Sequence, residues 1–419
     1  MADAPSATRG TGAGVAEMRR LAERCGDLKR ELVAFAESPR FARWREAELA
    51  KAAGGSSGGD GAEDFDEDDG DGGGRPPKGS DRWIAAMDDF IMTFRFPDGT
   101  GVVDRFLSAR RKELRKPDRK ILEGWRDPVD GIFEIRAKSD ESITLYNLID
   151  ELTYQVYATI SFTRLPAGEG DFLLARLVPM APGAWTPSGS MSPFPREHVK
   201  VVAELALEWS GTRPQLAFRN PEKARLGWEM MRKDREEFVE FFGADQVIIP
   251  VAEAESRINA YYRQRQEKAL ARRAGDKPPA EATAGVDRPF FAMPPEVVQT
   301  NSTVGVIYDE VDGMSLLPDF GLLEELFTRP ELAADPAYAS VLLGYLDSES
   351  VYPGALRRMA EAHPDTADEV YRTVLKKPSF TWSKQGEQLL RKRKPWYFRQ
   401  ARYPKTTPVS DYLEQLLSS

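Results

Sequence analysis

The stretch from Gly131 to Ala158 limits the folds open to this chain more than any other. It holds three runs rich in β-branched and aromatic residues: Gly131–Lys138, Ser142–Leu148 and Leu152–Ala158. Short breaks, Ser139-Asp140-Glu141 and Ile149-Asp150-Glu151, separate them. Such residues suit a pleated surface and short polar breaks let the chain reverse, so the pattern predicts a meander of antiparallel strands. Ile132, Ile143, Leu145, Tyr154 and Val156 recur at period two, which gives each strand an apolar face. Three strands cannot bury that face alone, so the flanking segments must cover it.

Two further strands are expected. Asp171–Val178 is a nearly continuous apolar run, as in a strand covered on both faces, and Trp185–Phe194 is interrupted by Pro and Gly, as in an edge strand with a bulge. Five short strands with a glycine kink predict a small curled antiparallel sheet or partly open barrel. The fold class is α+β: this sheet packed by helices, plus a mostly helical C-terminal domain.

Upstream, Met18, Leu21, Cys25, Leu28, Leu32 and Phe35 alternate spacings of three and four, the rhythm of a helix that packs on another. Residues 18–35 therefore either dock on their own chain or bind a partner or a second copy. Gly54–Ser80 is Gly-rich and acidic between Glu63 and Asp69, which predicts a flexible tether. Order resumes with a helix at Asp81–Phe90, a strand at Met92–Phe96 and a turn at Pro97-Asp98-Gly99. After Glu197 the chain turns helical, with short strands expected at Val247–Ile249 and Val304–Tyr308. The predicted division is 1–53, an N-terminal helical module; 54–80, the tether; 81–275, the α+β domain with sheet 131–194; 276–296, a Pro/Ala linker; and 297–419, the helical domain.

Trp125–Ile135, Leu145–Tyr154 and Leu174–Pro179 are similar to a barrel-like region found upstream of SEC-C motifs in some bacterial proteins. They look most like a group of uncharacterised proteins from high-GC actinobacteria. The resemblance spans residues 90–200 and implies a fold. The cysteine-rich SEC-C motif is absent, so its metal-linked role is not carried over.

Composition narrows the chemistry. Cys25 is the one cysteine, which excludes a disulfide framework and a multi-cysteine metal site. His198 and His363 are the two histidines, too few for a histidine metal cage, and each suits a helix end. No Gly-rich phosphate loop is present, and no cofactor is expected. No apolar run approaches the ~20 residues of a membrane span, so no membrane partner is expected and the cytoplasm is the expected compartment.

The net charge of -9 hides a segregation: between residues 372 and 405 Glu387 is the only acid. Lys384, Arg391, Lys392, Arg393, Lys394, Arg399 and Arg402 are interleaved there with Trp396 and Tyr397, and Lys376, Lys377, Phe380 and Trp382 precede them. Lysine and arginine neutralise phosphates and flat rings stack on unpaired bases, so the segment suits nucleic acid. Alternatively, the rings anchor a core while the bases face water or an acidic protein. A second constellation is acidic: Asp309, Glu310, Asp312 and Asp319 after a strand, which a magnesium-dependent phosphodiesterase or nuclease would require, although Asp312-Gly313 also reads as a plain turn. Asp140/Glu141 and Asp150/Glu151 are expected to be solvated in hairpin turns. The expected function is a non-enzymatic binding or adaptor protein, with the phosphodiesterase as the alternative.

Overall fold

The computed structural model describes residues 12–54, 76–158, 161–274 and 290–418. The acidic run Glu63–Asp69, with most of the predicted tether and linker, lies outside them. The chain divides into two compact units, Met1–Asn220 with Val409–Ser419, and Pro221–Pro408.

The first unit opens with helices α1 (Gly12–Ala36), α2 (Ala42–Gly54), α3 (Asp81–Met92), α4 (Val102–Ala109) and α5 (Lys116–Gly124). Strands β1 (Val129–Lys138), β2 (Ser142–Asn147), β3 (Thr153–Tyr157), β4 (Phe172–Ala181) and β5 (Ala184–Phe194) follow, then α6 (Val199–Thr212) and α7 (Pro214–Ala217). The expected meander and its two extra strands are all present. The strands pair in the ring β1-β2-β3-β5-β4. Four joints are antiparallel; the β3–β5 joint is parallel and only two residue pairs long, so the curled sheet has its weakest seam there. The predicted bulge in β5 falls where Ala175 faces Met191 but Leu177 already faces Pro187.

Phe133, Ile135, Leu145, Tyr154, Val156 and Leu173 fill the interior of the ring. Ile132, expected on that face, points outward and packs with Val202, Ala203 and Ala206 of α6, because β1 is buried on both sides. The C-terminal helix Asp411–Ser418 joins this outer layer through Leu413. Its Tyr412 hydroxyl donates to Glu134 of β1, and the Arg136 guanidinium lies 4.8 Å from both the Tyr146 and Tyr412 ring centres.

The N-terminal helices are not a tethered module. Cys25, Leu28 and Leu32 of α1 and Leu49 of α2 are buried in one core with Phe90, Val102, Phe106, Trp125, Val178 and Met180. Each large side chain so buried contributes ~1.5–3 kcal/mol, which is why Cys25, Leu28 and Leu32 turn to their own chain. The expected strand at Met92–Phe96 is absent as well. The α3 helix, capped by the Ser80 hydroxyl accepting from the Trp83 amide (3.3 Å), runs to Met92, and the chain then loops. Phe94 and Phe96 stack edge to face at 5.1 Å within an aromatic cluster, which overrides the local alternation. The turn beyond forms as expected, with Gly99 at φ +81°.

The second unit starts with α8 (Pro221–Phe242), β6 (Gln246–Pro250), α9 (Val251–Ala274) and α10 (Pro295–Thr300). It continues through β7 (Thr303–Asp309), β8 (Gly313–Pro318), α11 (Phe320–Thr328), α12 (Pro336–Asp347), α13 (Pro353–Ala362), α14 (Pro364–Leu375), α15 (Trp382–Arg393) and α16 (Pro395–Arg399). The boundary therefore falls at Asn220/Pro221, not at 275, because β6 pairs with β7 in an antiparallel sheet of order β6-β7-β8. One core joins that sheet to α8 and α9 through Phe238, Ile258, Tyr261, Val304 and Val306. The other joins it to the later helices through Ile307, Leu317, Phe320, Leu356 and Tyr371. Gly305 permits this: a Cβ there would sit 2.5 Å from the Phe320 ring. Among the described residues no helix is long and apolar enough to cross a membrane.

Candidate functional site

The basic, aromatic segment divides into an inside and an outside. Helix α15 buries Gly386, Leu389 and Leu390, and a residue three or four positions from these turns with them. Lys394, at the helix C-terminus, is 0% exposed and its Nζ donates to the Ser348 carbonyl at 2.8 Å. Burial pushes its pKa down to about 8, against the pull of Asp347. Tyr397 is also buried, and its hydroxyl donates to Asp312 Oδ2 at 2.8 Å. Arg402 lies 3.2 Å over the Tyr397 ring, Trp382 stacks on Tyr371 at 4.7 Å, and Trp396 rests half-buried against Tyr352 and Tyr397. The rings are core anchors. Lys394 and Tyr397 are thus withdrawn from the expected binding set, because a buried polar group must be spent on an internal partner.

What remains outside is polar and rich in positive charge. Lys384 and Lys392 are exposed on one face of α15, with Gln388 and Arg391 between them at helical spacing. Arg391 pairs with Glu387 at 3.2 Å and lies 4.5 Å over Phe398, and Arg393 pairs with Asp347 at 2.6 Å. Lys376 and Lys377, in the turn between α14 and α15, are exposed too, as is Arg399 at the end of α16. Lys376 takes the left-handed conformation that ends α14 (φ +54°). Lys376, Lys377, Lys384, Lys392 and Arg399 have no acidic partner among the described residues.

The acidic constellation does not converge. Asp309 faces Gly313 at the turn of the β7–β8 hairpin, whereas Val304 faces Pro318 at the other end, so Asp319 stands about 17 Å away along the strands. Asp319 instead accepts the Ser302 amide at 3.3 Å. Asp309 holds the turn by accepting the Val311 and Asp312 amides at 2.8 and 3.1 Å, and it receives Arg358 at 3.3 Å. Burial raises the Asp312 pKa, an effect the Tyr397 hydroxyl opposes. Among the described residues no three metal-ligating side chains form a cluster. Asp309 and Asp312 lie together at the hairpin turn, both within 4 Å of where a Cβ on Gly354 would sit, while Asp319 stands apart, so the three carboxylates named for a magnesium site are not brought together.

Two charged networks in the first unit leave no motif in the sequence. Arg176 of β4 meets Asp88 (2.9 Å), Asp89 (2.8 Å) and both oxygens of Asp130, while Lys29 of α1 donates to Asp88 and to Ser188 (2.9 Å). Burial disfavours the charge on Asp88, yet Lys29 and Arg176 hold its pKa below the usual range. Gly189 in the β5 bulge lies against the Asp88 side chain. The network floors a cleft of about 320 Å³ rimmed by Trp209 and Arg213. Its ions saturate one another, which makes it a structural clamp. The second network is at the β2–β3 turn. Asp150, expected in solvent, is 0% exposed and accepts the Tyr154 hydroxyl (2.6 Å) and the Leu152 amide (2.9 Å). Burial pushes its pKa up to about 6. The Asn220 side chain reaches back to its carbonyl (2.9 Å), and so distant a partner leaves no mark in the local sequence.

No protein-family model, curated protein or solved structure matches this chain.

Proposed function

We propose that the protein is a non-enzymatic binding protein that takes the phosphate backbone of a nucleic acid on the exposed face of α15 and the turn before it. One observation carries this reading: Lys384 and Lys392 share a solvent face, with Lys376 and Lys377 just upstream, and none has an acidic partner among the described residues. Cations left unneutralised in this way release counterions from a polyanion, and the affinity that results falls steeply with salt. Because Trp382 and Tyr397 belong to the core, base stacking is no part of the proposal, and sequence preference should be slight. For residues 90–200 the likeness to the region upstream of SEC-C motifs remains our reading of the fold and adds no activity.

Fluorescence anisotropy with a labelled oligonucleotide at several salt concentrations tests this. Binding should weaken linearly in log–log form and drop when Lys384 and Lys392 are both changed to Ala. An acidic protein as the true partner would show as no oligonucleotide binding even at low salt.

A further inference from the structure

We propose that an apolar groove on the first unit, independent of the α15 surface, docks an acidic peptide bearing bulky apolar side chains, presented by another protein. The groove encloses about 390 Å³, enough for one or two large side chains. Helix α5 contributes Pro117, Lys120, Ile121 and Gly124, spaced three and four apart and so on a single stripe. Leu21 of α1 faces it, and Pro179, Met180 and Pro182 close it from the end of β4. It is preformed. Gly124 lets the strand end lie directly on the helix, since a Cβ there would come within 2.8 Å of the Pro179 ring. The Trp125 indole holds that strand end in place by donating to the Pro179 carbonyl at 3.1 Å. Three prolines in the wall leave little conformational freedom to lose on binding.

Charge selects the occupant. Residues 110–124 hold seven bases (Arg110, Arg111, Lys112, Arg115, Lys116, Arg119, Lys120) against three acids (Glu113, Asp118, Glu123). Two of the acids are already engaged: Glu113 with Arg110, and Asp118 with Arg24 and Arg115 at 3.0 Å each. Lys112, Lys116 and Lys120 are exposed and have no acidic partner among the described residues, and Glu123 is the one acid of the stretch with no basic partner among them. A positive rim around a greasy slot attracts negative charge and then rewards an apolar anchor. A nucleic acid would satisfy the rim and leave the slot empty.

The test uses the full chain and a labelled twelve-residue synthetic peptide of Asp and Glu with two Phe, read by anisotropy. Binding should weaken at least tenfold in Lys116→Glu/Lys120→Glu, and equally when both Phe of the peptide become Ser. It should be unmoved by Lys384→Ala/Lys392→Ala, which separates this site from the α15 surface. Pro182→Glu, at an exposed turn, should weaken it as well and guards against a folding artefact on the helix side. Equal binding of the Ser peptide would reduce the site to bare charge and overturn the proposal. So would indifference to the α5 substitutions, or a dimer in sedimentation that Lys120→Glu dissolves, since a second copy would then be the occupant.

Discussion

Lys29, Asp88, Arg176 and Asp130 carry their charges into the first unit and meet one another there, whereas Lys376, Lys377, Lys384 and Lys392 carry theirs to the surface of the second and meet no acid among the described residues. Ions that are saturated internally have no capacity left for a ligand, so their conspicuous cluster beside a cleft is architecture. Unpaired ions at the surface contribute little to the fold and remain free to bind. Stability and binding should therefore respond to substitution in opposite ways in the two places.

The largest effect is expected at Arg176. Arg176→Ala leaves buried Asp88 with Lys29 and the Ser188 hydroxyl but without its second cation, and strips Asp130 of its bidentate partner. Breaking a buried ionic network from one side costs about 3–5 kcal/mol, because the remaining charge is desolvated and unpaired. Denaturant unfolding of the variant should show that loss. A cost below about 1 kcal/mol, the range of an exposed pair, would mean that water already reaches the cluster.

Next come two buried titrating groups, one in each unit, with opposite slopes. Asp150 has a folded pKa of about 6 against an unfolded value near 3.9, so between those values the folded state holds a proton that the unfolded state has lost. Its contribution to stability is greatest at low pH and falls as pH rises from about 4 to 6, by about 3 kcal/mol. Lys394 runs the other way. Its folded pKa of about 8 lies below an unfolded value near 10.4, so there the unfolded state binds more protons and stability rises with pH between them. Asp150→Asn should flatten the first slope and Lys394→Met the second, both read from denaturation midpoints across pH. Smaller again is Tyr397→Phe. It removes the hydroxyl that donates to buried Asp312, at a cost of about 1–3 kcal/mol in the same unfolding assay.

The strands are legible in the sequence because period-two alternation at Ile143, Leu145, Tyr154 and Val156 is imposed by one buried interior face. Ile132 departs from that pattern because β1 is buried on both faces, and alternation carries no information there. The two Asp-Glu hairpin turns look alike in sequence, yet Asp140 is exposed while Asp150 is sealed in, with Asn220 reaching its carbonyl from seventy residues away. Likewise nothing local tells Lys394 from Lys392: they differ by two positions on α15 and its cap, which is half a turn of helix and the whole distance from core to solvent. The basic segment is visible as composition. Only packing divides it into anchors and free charges.

That division gives the smallest stability effect and the sharpest contrast. Lys384→Ala/Lys392→Ala disturbs no buried group, so its unfolding free energy should stay within about 0.5 kcal/mol of the parent. Each phosphate that is no longer neutralised should lower the slope of log affinity against log salt by about 0.9 on duplex DNA, so the double substitution should lower it by nearly two. Arg176→Ala measured alongside, under conditions where it remains folded, should leave that slope unchanged. If instead the lysine pair destabilised the fold while the salt slope held, the surface charges would be structural after all. Saturated and free ions would then no longer differ in what they do, at the very surface where the difference should be plainest.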